Sequence, residues 1–289
     1  MKVSVLMLVY NHEKFIEKAL LGVLAQKVDF EYEIIVSDDC SQDATFRIVQ
    51  EIKNRYDAGN VIKYVRHKRN VGVAANFILA LTMCQGEYIA HCEGDDYWDH
   101  NEKLKMQVDF LDNNDDYSAV TSFTKILSSN EGLIIEPVPI KLVVSFEDIL
   151  LDRKNQTRTV SLVMRNFKTH LEAFAVKGVY FGVDRKLKLW LTKDGKNIKI
   201  LPVLTAVYRI HSGGVWSLAA REKKRAAKQN DYLETHRHFS MPFLLKVRFV
   251  WHHFAKTIPG DLRYGRIRFL WQTLMALFIL PQKKESLAK

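Results

Sequence analysis

Glycine and proline are scarce in this chain of 289 residues, 13 and 6 in all, and cysteine is scarcer still at 3. So few breakers leave no room for a long linker or low-complexity stretch. With 47% hydrophobic residues, the chain can bury a large core. Cys40, Cys84 and Cys92 lack metal-ligand spacing, and an odd count without a signal-peptide pattern fits a reducing cytoplasm better than a disulfide framework. No G-x-G-x-x-G follows the first apolar run and no G-x-x-x-x-G-K-[ST] occurs anywhere, which argues against dinucleotide-binding and P-loop domains. No apolar run approaches the roughly 20 residues needed to span a bilayer. Internal repeats are lacking as well. Asn155-Gln156-Thr157 matches a glycosylation acceptor, which means nothing in a cytoplasmic protein.

What stands out is Glu93-Gly94-Asp95-Asp96-Tyr97-Trp98, three carboxylates in four positions directly after the apolar run Tyr88 to Cys92. An isolated acidic pair after a strand reads as a solvated turn. Carboxylates crowded this closely repel, however, and a hard oxygen-ligated cation such as Mg²⁺ or Mn²⁺ relieves the repulsion. Two more polar clusters follow apolar runs: Tyr10-Asn11-His12 after Val3 to Val9, and Ser37-Asp38-Asp39-Cys40 after Glu33 to Val36. Such runs, separated by helical patterns, read as strands of a parallel sheet buried on both faces. Ligands bind outside the carboxyl ends of these strands, where all three clusters fall. The helices are expected around Ile16 to Leu24, over Asp43 to Tyr56 and over Val73 to Cys84, with a third strand at Val61 to Val65. The first ~100 residues thus read as a doubly wound nucleotide-binding half.

These motifs resemble family 2 glycosyltransferases of the GT-A fold. The likeness is carried by Val3-Ser4-Val5 with Tyr10-Asn11, Glu33 to Ser41 with Asp43 and Thr45, Asn70-Val71-Gly72 with Asn76, and Gly86 to Ala90 running into Glu93 to Asp96. It spans residues 1 to 217 or so. The Glu-Gly-Asp-Asp-Tyr-Trp form is similar to that of bacterial surface-polysaccharide enzymes. The resemblance implies an α/β fold with a mostly parallel central sheet. It also implies a catalytic domain over 1–220, made of a donor half (1–100) and an acceptor half (101–220).

The resemblance also assigns roles. Tyr10 stacks on a nucleobase and Asp39 accepts its N3–H, a pairing suited to uracil or thymine; Asn11 lies beside them, and Asp38 holds backbone or ribose groups. Glu93 and Asp95 touch the ribose and diphosphate side, and Asp95 and Asp96 hold the metal. His211, in Tyr208-Arg209-Ile210-His211-Ser212-Gly213-Gly214, is a third metal ligand, while Arg209 meets the diphosphate. Asp184, expected just before a helix carrying Leu187, Leu189, Trp190 and Leu191, is the base that deprotonates the acceptor hydroxyl, with inversion at the anomeric carbon. Bland alternatives stand beside these: an N-cap for Asp184, a cap for Asn70 next to its donor-binding role, and solvated cations for Arg66 and Arg69. A sugar nucleotidyltransferase would need a glycine-rich activating loop near the amino terminus, which is missing. A non-catalytic glycan- or nucleotide-sugar-binding scaffold is the other alternative.

Charge separates the tail from the rest. Residues 1 to 220 hold 28 basic and 28 acidic residues, whereas 221 to 289 hold 15 and 5, so the whole net charge of +10 sits in the tail. Met241 to Phe254 and Ile267 to Leu280 mix Trp, Phe and Leu with cations, a pattern for helices in an anionic membrane interface. Packing on the catalytic domain or formation of a homo-oligomer is the competing reading. No nucleic-acid motif accompanies the basic tail. The expectation is a cytoplasmic enzyme peripheral on the inner face of the plasma membrane. Its partners would be a nucleoside diphosphate sugar donor and a glycan or lipid-linked glycan acceptor.

Overall fold

The computed structural model describes residues 1–263 except 58, 136–137, 139–140, 153–156, 168–182, 215–229, 233 and 237, with backbone alone from 254 onward. Strands β1 (Val3–Val9), β2 (Tyr32–Asp38), β3 (Ile62–Arg66) and β4 (Tyr88–His91) alternate with helices α1 (Ile16–Leu24), α2 (Thr45–Tyr56) and α3 (Val73–Met83). The four strands are parallel, in the order β3-β2-β1-β4. Their register sets Val5 beside Ile34 and Ala90, so the β1 run lies between two others, while β3 forms the edge. Val3, Val5, Met7, Ile34, Val36 and Ala90 are wholly buried. Each buried aliphatic side chain contributes about 1.5–3 kcal/mol relative to exposure, which is why near-continuous apolar runs specify central strands here.

Beyond β4 the sheet becomes mixed. It continues through β9 (Val163–Arg165), β6 (Tyr117–Ser128), β10 (Asn197–Ile210) and β5 (Tyr97–Trp98); β9 runs antiparallel to β4 and β6, whereas β6 and β10 are parallel. Two short strands, β7 (Gly132–Ile135) and β8 (Val143–Val144), flank β6 and β10. Helices α4 (Lys103–Asp112), α5 (Phe146–Leu150) and α6 (Val183–Thr192) lie in the second half, with a 3-10 turn at Thr159–Ser161. The helix predicted to open after Asp184 begins at Val183 instead, so Asp184 lies inside its first turn and is not its N-cap. Expected boundaries elsewhere shift by a residue or two: α2 starts at Thr45, where the Asp43 carboxylate accepts from both the backbone N–H and the hydroxyl of Thr45.

A final helix, α7 (Phe243–Arg263), belongs to the basic tail. Tyr232, Phe239, Phe249 and Val250 are buried in one apolar cluster with Ile149 and Leu187, so the described part of the tail shares a core with the catalytic unit. Arg185 of α6 binds Asp231 at 2.7 Å and Asp152 at 3.2 Å, fixing that junction with partly buried charge. Asn155 and the stretches 168–182 and 267–280 lie outside the described residues. Among the described residues no helix is long and apolar enough to cross a membrane.

Candidate active site

The site is built at the carboxyl ends of β1, β2 and β4. Chains leaving a parallel sheet expose unpaired backbone groups, and polar side chains must satisfy them. At the end of β1 and β2 they do so reciprocally. Asn11 accepts from the Gln42 N–H at 2.8 Å, while the Asn11 N–H donates to Ser41 Oγ at 2.9 Å. Glu13 and Asp43 exchange similar bonds with Ala44 and Glu13 backbone N–H groups. Asn11 and Cys40 both take left-handed backbone angles, φ 57° and 67°. Such conformations are costly outside glycine and persist where surrounding bonds over-determine them.

Asp38 and Asp39 turn in different directions. Asp38 is fully buried; its Oδ1 accepts from the N–H and hydroxyl of Ser41, and its Oδ2 from the Tyr64 hydroxyl. Burial and that bond push the Tyr64 phenol well above its usual range. Asp39 reaches the opposite turn, where its two oxygens accept from Val71 N–H (2.6 Å) and Gly72 N–H (2.9 Å). Gly72 has φ 85° and is the N-cap of α3; Asn70 Oδ1 also accepts from its N–H, at 3.1 Å. Asn70 thus turns the chain before the helix without capping it, since α3 starts from Gly72 with no side-chain cap bond, and its side chain stays exposed at the rim. Tyr10, 42% exposed, stands at the end of β1 with its ring open to solvent. Arg66 donates to the Ser41 carbonyl and lies 3.8 Å from Asp38, tied into the β2 turn rather than wholly solvated.

The acidic turn packs beneath these loops. Gly94 donates to the Leu8 carbonyl, and a Cβ at Gly94 would sit 2.7 Å from His12 Nδ1 and 2.9 Å from Val9, so only glycine lets the turn approach β1 this closely. Asp96 is 2% exposed and accepts from the Arg209 N–H at 2.7 Å. The Arg209 guanidinium donates to the Asp95 carbonyl at 2.6 Å and stacks over Tyr97, 4.4 Å from the ring centre. Asp95 Oδ2 lies 3.1 Å from His211 Nε2 and 3.8 Å from His12 Nε2. Glu93 meets the Thr159 hydroxyl, and its Oε2 is buried with no partner.

Electrostatics divide the three carboxylates. Burial, then the charge of Asp95, lifts Glu93 to about 7. Burial followed by Asp95 and Glu93 raises Asp96 well above the carboxylate range. Burial would raise Asp95 too, but its bond to His211 and the nearby imidazoles outweigh that and hold it below the usual value. His12 is pushed down by burial. Two reluctant acids and an orphaned buried carboxylate oxygen make this a turn that a divalent cation would relieve, and Asp95 and His211 could hold it. Asp96 already accepts from Arg209, and its ligand atoms do not converge with theirs as those of Asp152, His252 and His253 do. An imidazole beside carboxylates is a donor set that accommodates Mn²⁺ as well as Mg²⁺.

Asp184 stands apart. It is 58% exposed and lies 3.8 Å from Lys188 one turn along α6. Its charge is felt at Glu93, and Lys188, pushed down by burial, senses both carboxylates. A cleft of about 460 Å³ opens among Asn11, Phe15, Gln42, Asp43, His211 and Gly213. Sequence reasoning missed three contributors: His12, Phe15, whose ring centre lies 4.4 Å from that of His211, and Thr159. His12 was signalled by its place in the Tyr10-Asn11-His12 cluster; the other two become site residues only through tertiary packing.

An acidic turn and a facing histidine thus stand at the carboxyl edge of the parallel strands of a GT-A scaffold. Residues 4–159 match the model for glycosyl transferase family 2, and the chain belongs to that family. It is 32% identical over 222 residues to the uncharacterized protein Rv1520 of Mycobacterium tuberculosis, covering 77% of this chain and 62% of that one. The chain thus spans about three fifths of the length of the mycobacterial relatives it matches. The poly(ribitol-phosphate) beta-N-acetylglucosaminyltransferase TarS of Staphylococcus aureus is 37% identical over 115 residues, 39% of this chain and 19% of TarS. The structure of TarS residues 1–349 with UDP-GlcNAc superposes with a TM-score of 0.68 at 20% identity, over 96% of this chain and 82% of that one. The mannosyltransferase PcManGT from Pyrobaculum calidifontis, solved with GDP-Man and Mn²⁺, gives 0.61 at 17% identity, over 96% and 86%. At these identities the two structures establish the fold.

Proposed function

We propose that the chain is an inverting, metal-dependent glycosyltransferase that moves a sugar from a UDP- or dTDP-sugar to a hydroxyl of a cell-surface glycan, free or lipid-linked. The observation that carries this reading is the meeting of Asp95 with His211 at 3.1 Å, above Asp96 and beside Arg209, at the mouth of parallel strands. When bound there, the cation neutralises charge growing on the leaving diphosphate. Arg209, held by Asp95 and Tyr97, supplies a second fixed positive charge.

Tyr10 offers an exposed ring for a pyrimidine. Asp39, a carboxylate with about four lone-pair sites of which two are used, keeps acceptor capacity for its N3–H. Asn11 and Asp38 hold the turns that frame the base, with Asn70 and Glu93 toward the sugar side. Asp184 takes the proton of the acceptor hydroxyl as the acceptor oxygen bonds to the anomeric carbon. The bond to the diphosphate oxygen breaks with its electron pair leaving on the nucleoside diphosphate, and attack opposite the leaving group inverts the centre. An acceptor on a lipid carrier calls for an enzyme held at the cytoplasmic face of a membrane.

The test is a hydrolysis screen of UDP-, dTDP- and GDP-sugars with Mn²⁺ or Mg²⁺, on the native chain and Asp95→Ala. Release of UDP or dTDP that requires both the metal and Asp95 supports the reading. Silence in turnover and in binding calorimetry for every donor, from a folded protein, favours the glycan-binding scaffold.

A further inference from the structure

The helix α7 carries two apolar faces, and the catalytic unit uses one of them. Phe249, Val250 and His253 are buried at 2%, 5% and 1% exposure, packed with Tyr232 against the core that contains Ile149 and Leu187. On the outside, Phe243, Leu244, Val247 and Trp251 are 72%, 76%, 37% and 69% exposed. At about 100° per residue these four fall within one arc of about 100°. A contiguous Phe, Leu, Val and Trp surface in water is unfavourable unless something covers it.

We propose that this outer face of α7 docks on an anionic lipid bilayer. Charge selects the occupant. From Met241 to His253 the chain has Lys246 and Arg248 and no acidic residue, and 221–289 as a whole carries 15 basic against 5 acidic residues. A second copy meeting this face would bring like charge to like charge, whereas a sheet of anionic headgroups meets the cations beside the apolar stripe. Arg248 lies next to that stripe, 55% exposed, held at 2.9 Å by Glu147 of α5. Leu244, Val247 and Phe243 enter the acyl boundary, and the Trp251 indole sits at headgroup level, as Trp does at membrane interfaces. The opposite face, clamped on the catalytic unit, keeps the helix lying in the plane of the bilayer. Residues 1–220 have no net charge, so the attraction is confined to the tail and fixes one side of the enzyme toward the lipid.

This inference goes beyond the transferase reading and is tested without donor or acceptor, so the two fail separately. The full chain is floated with phosphatidylglycerol–phosphatidylcholine vesicles and with phosphatidylcholine vesicles alone. Phe243→Ser/Trp251→Ser is compared with Leu133→Ser/Ile135→Ser, which removes two other exposed apolar residues, from β7. The expected result is binding to the anionic vesicles, weakened by about tenfold or more in the α7 variant and unchanged in the β7 variant, with both variants melting like the native chain. Equal binding by both variants, or no binding by the native chain, overturns the proposal. A lipid-free dimer that the α7 variant converts to monomer overturns it too, in favour of a second copy.

Discussion

The donor side and the acceptor side of this site are built in opposite ways. On the donor side Asn11, Asp38, Asp39 and Asp43 each bond backbone N–H groups or side chains of a neighbouring turn, and the loops are locked before any ligand arrives. On the acceptor side Asp184 is more than half exposed, with one ion pair at 3.8 Å on its own helix. On the proposed function, recognition of the nucleotide is a property of this locked sheet edge. On the same proposal the acceptor is met by Asp184, a carboxylate that the described scaffold holds loosely. Preorganisation removes ordering costs on binding, so the two sides are expected to respond differently to mutation.

The largest separation comes from Asp184→Asn. Loss of a general base slows transfer by about 10²–10⁴-fold, while the dissociation constant for the sugar nucleotide, read by calorimetry, stays that of the native chain. A matching loss of donor affinity would place Asp184 on the donor side and erase the contrast. Glu93→Gln probes the turn between the two sides. Glu93 holds its proton to about pH 7 when folded, against a reference of 4.5, so the folded chain binds more protons than the unfolded chain between those values. The metal-free protein therefore loses stability as pH rises through that window, by about 3 kcal/mol in full. In Glu93→Gln this component of the slope disappears. Thermal melts in chelator at about pH 5 and pH 8 check it, and parallel slopes for both proteins would remove Glu93 as the source.

The same contrast explains how much could be read beforehand. The donor half was legible because each buried strand is an uninterrupted apolar run ended by its polar cluster. The runs Val3 to Val9, Glu33 to Val36 and Tyr88 to Cys92 form the strands Val3–Val9, Tyr32–Asp38 and Tyr88–His91. The acidic turn was legible as chemistry because three carboxylates in four positions need a reason. Its partners were harder. Arg209 and His211 came from a motif, but that Arg209 would donate to the Asp95 carbonyl and leave its own N–H to Asp96 depends on β5 pairing antiparallel with β10. A two-residue strand at Tyr97–Trp98 carries no periodicity of its own. Asp39 read as a ligand group, and the two backbone N–H groups it accepts from lie 32 and 33 residues away, set by the β2–β3 register rather than by local pattern. In the tail, amphipathic composition revealed helices but not that Tyr232 and Phe249 would join the core beside Leu187.

The central claim is that Asp95 and His211 close on one cation at the donor's diphosphate. Electron paramagnetic resonance of Mn²⁺ titrated with UDP reads this directly, because bound ion leaves the free-ion signal. The account predicts that the native chain takes up Mn²⁺ in a UDP-dependent way, and that Asp95→Asn and His211→Ala each weaken uptake by at least about tenfold. Uptake by both variants at the native affinity would contradict it.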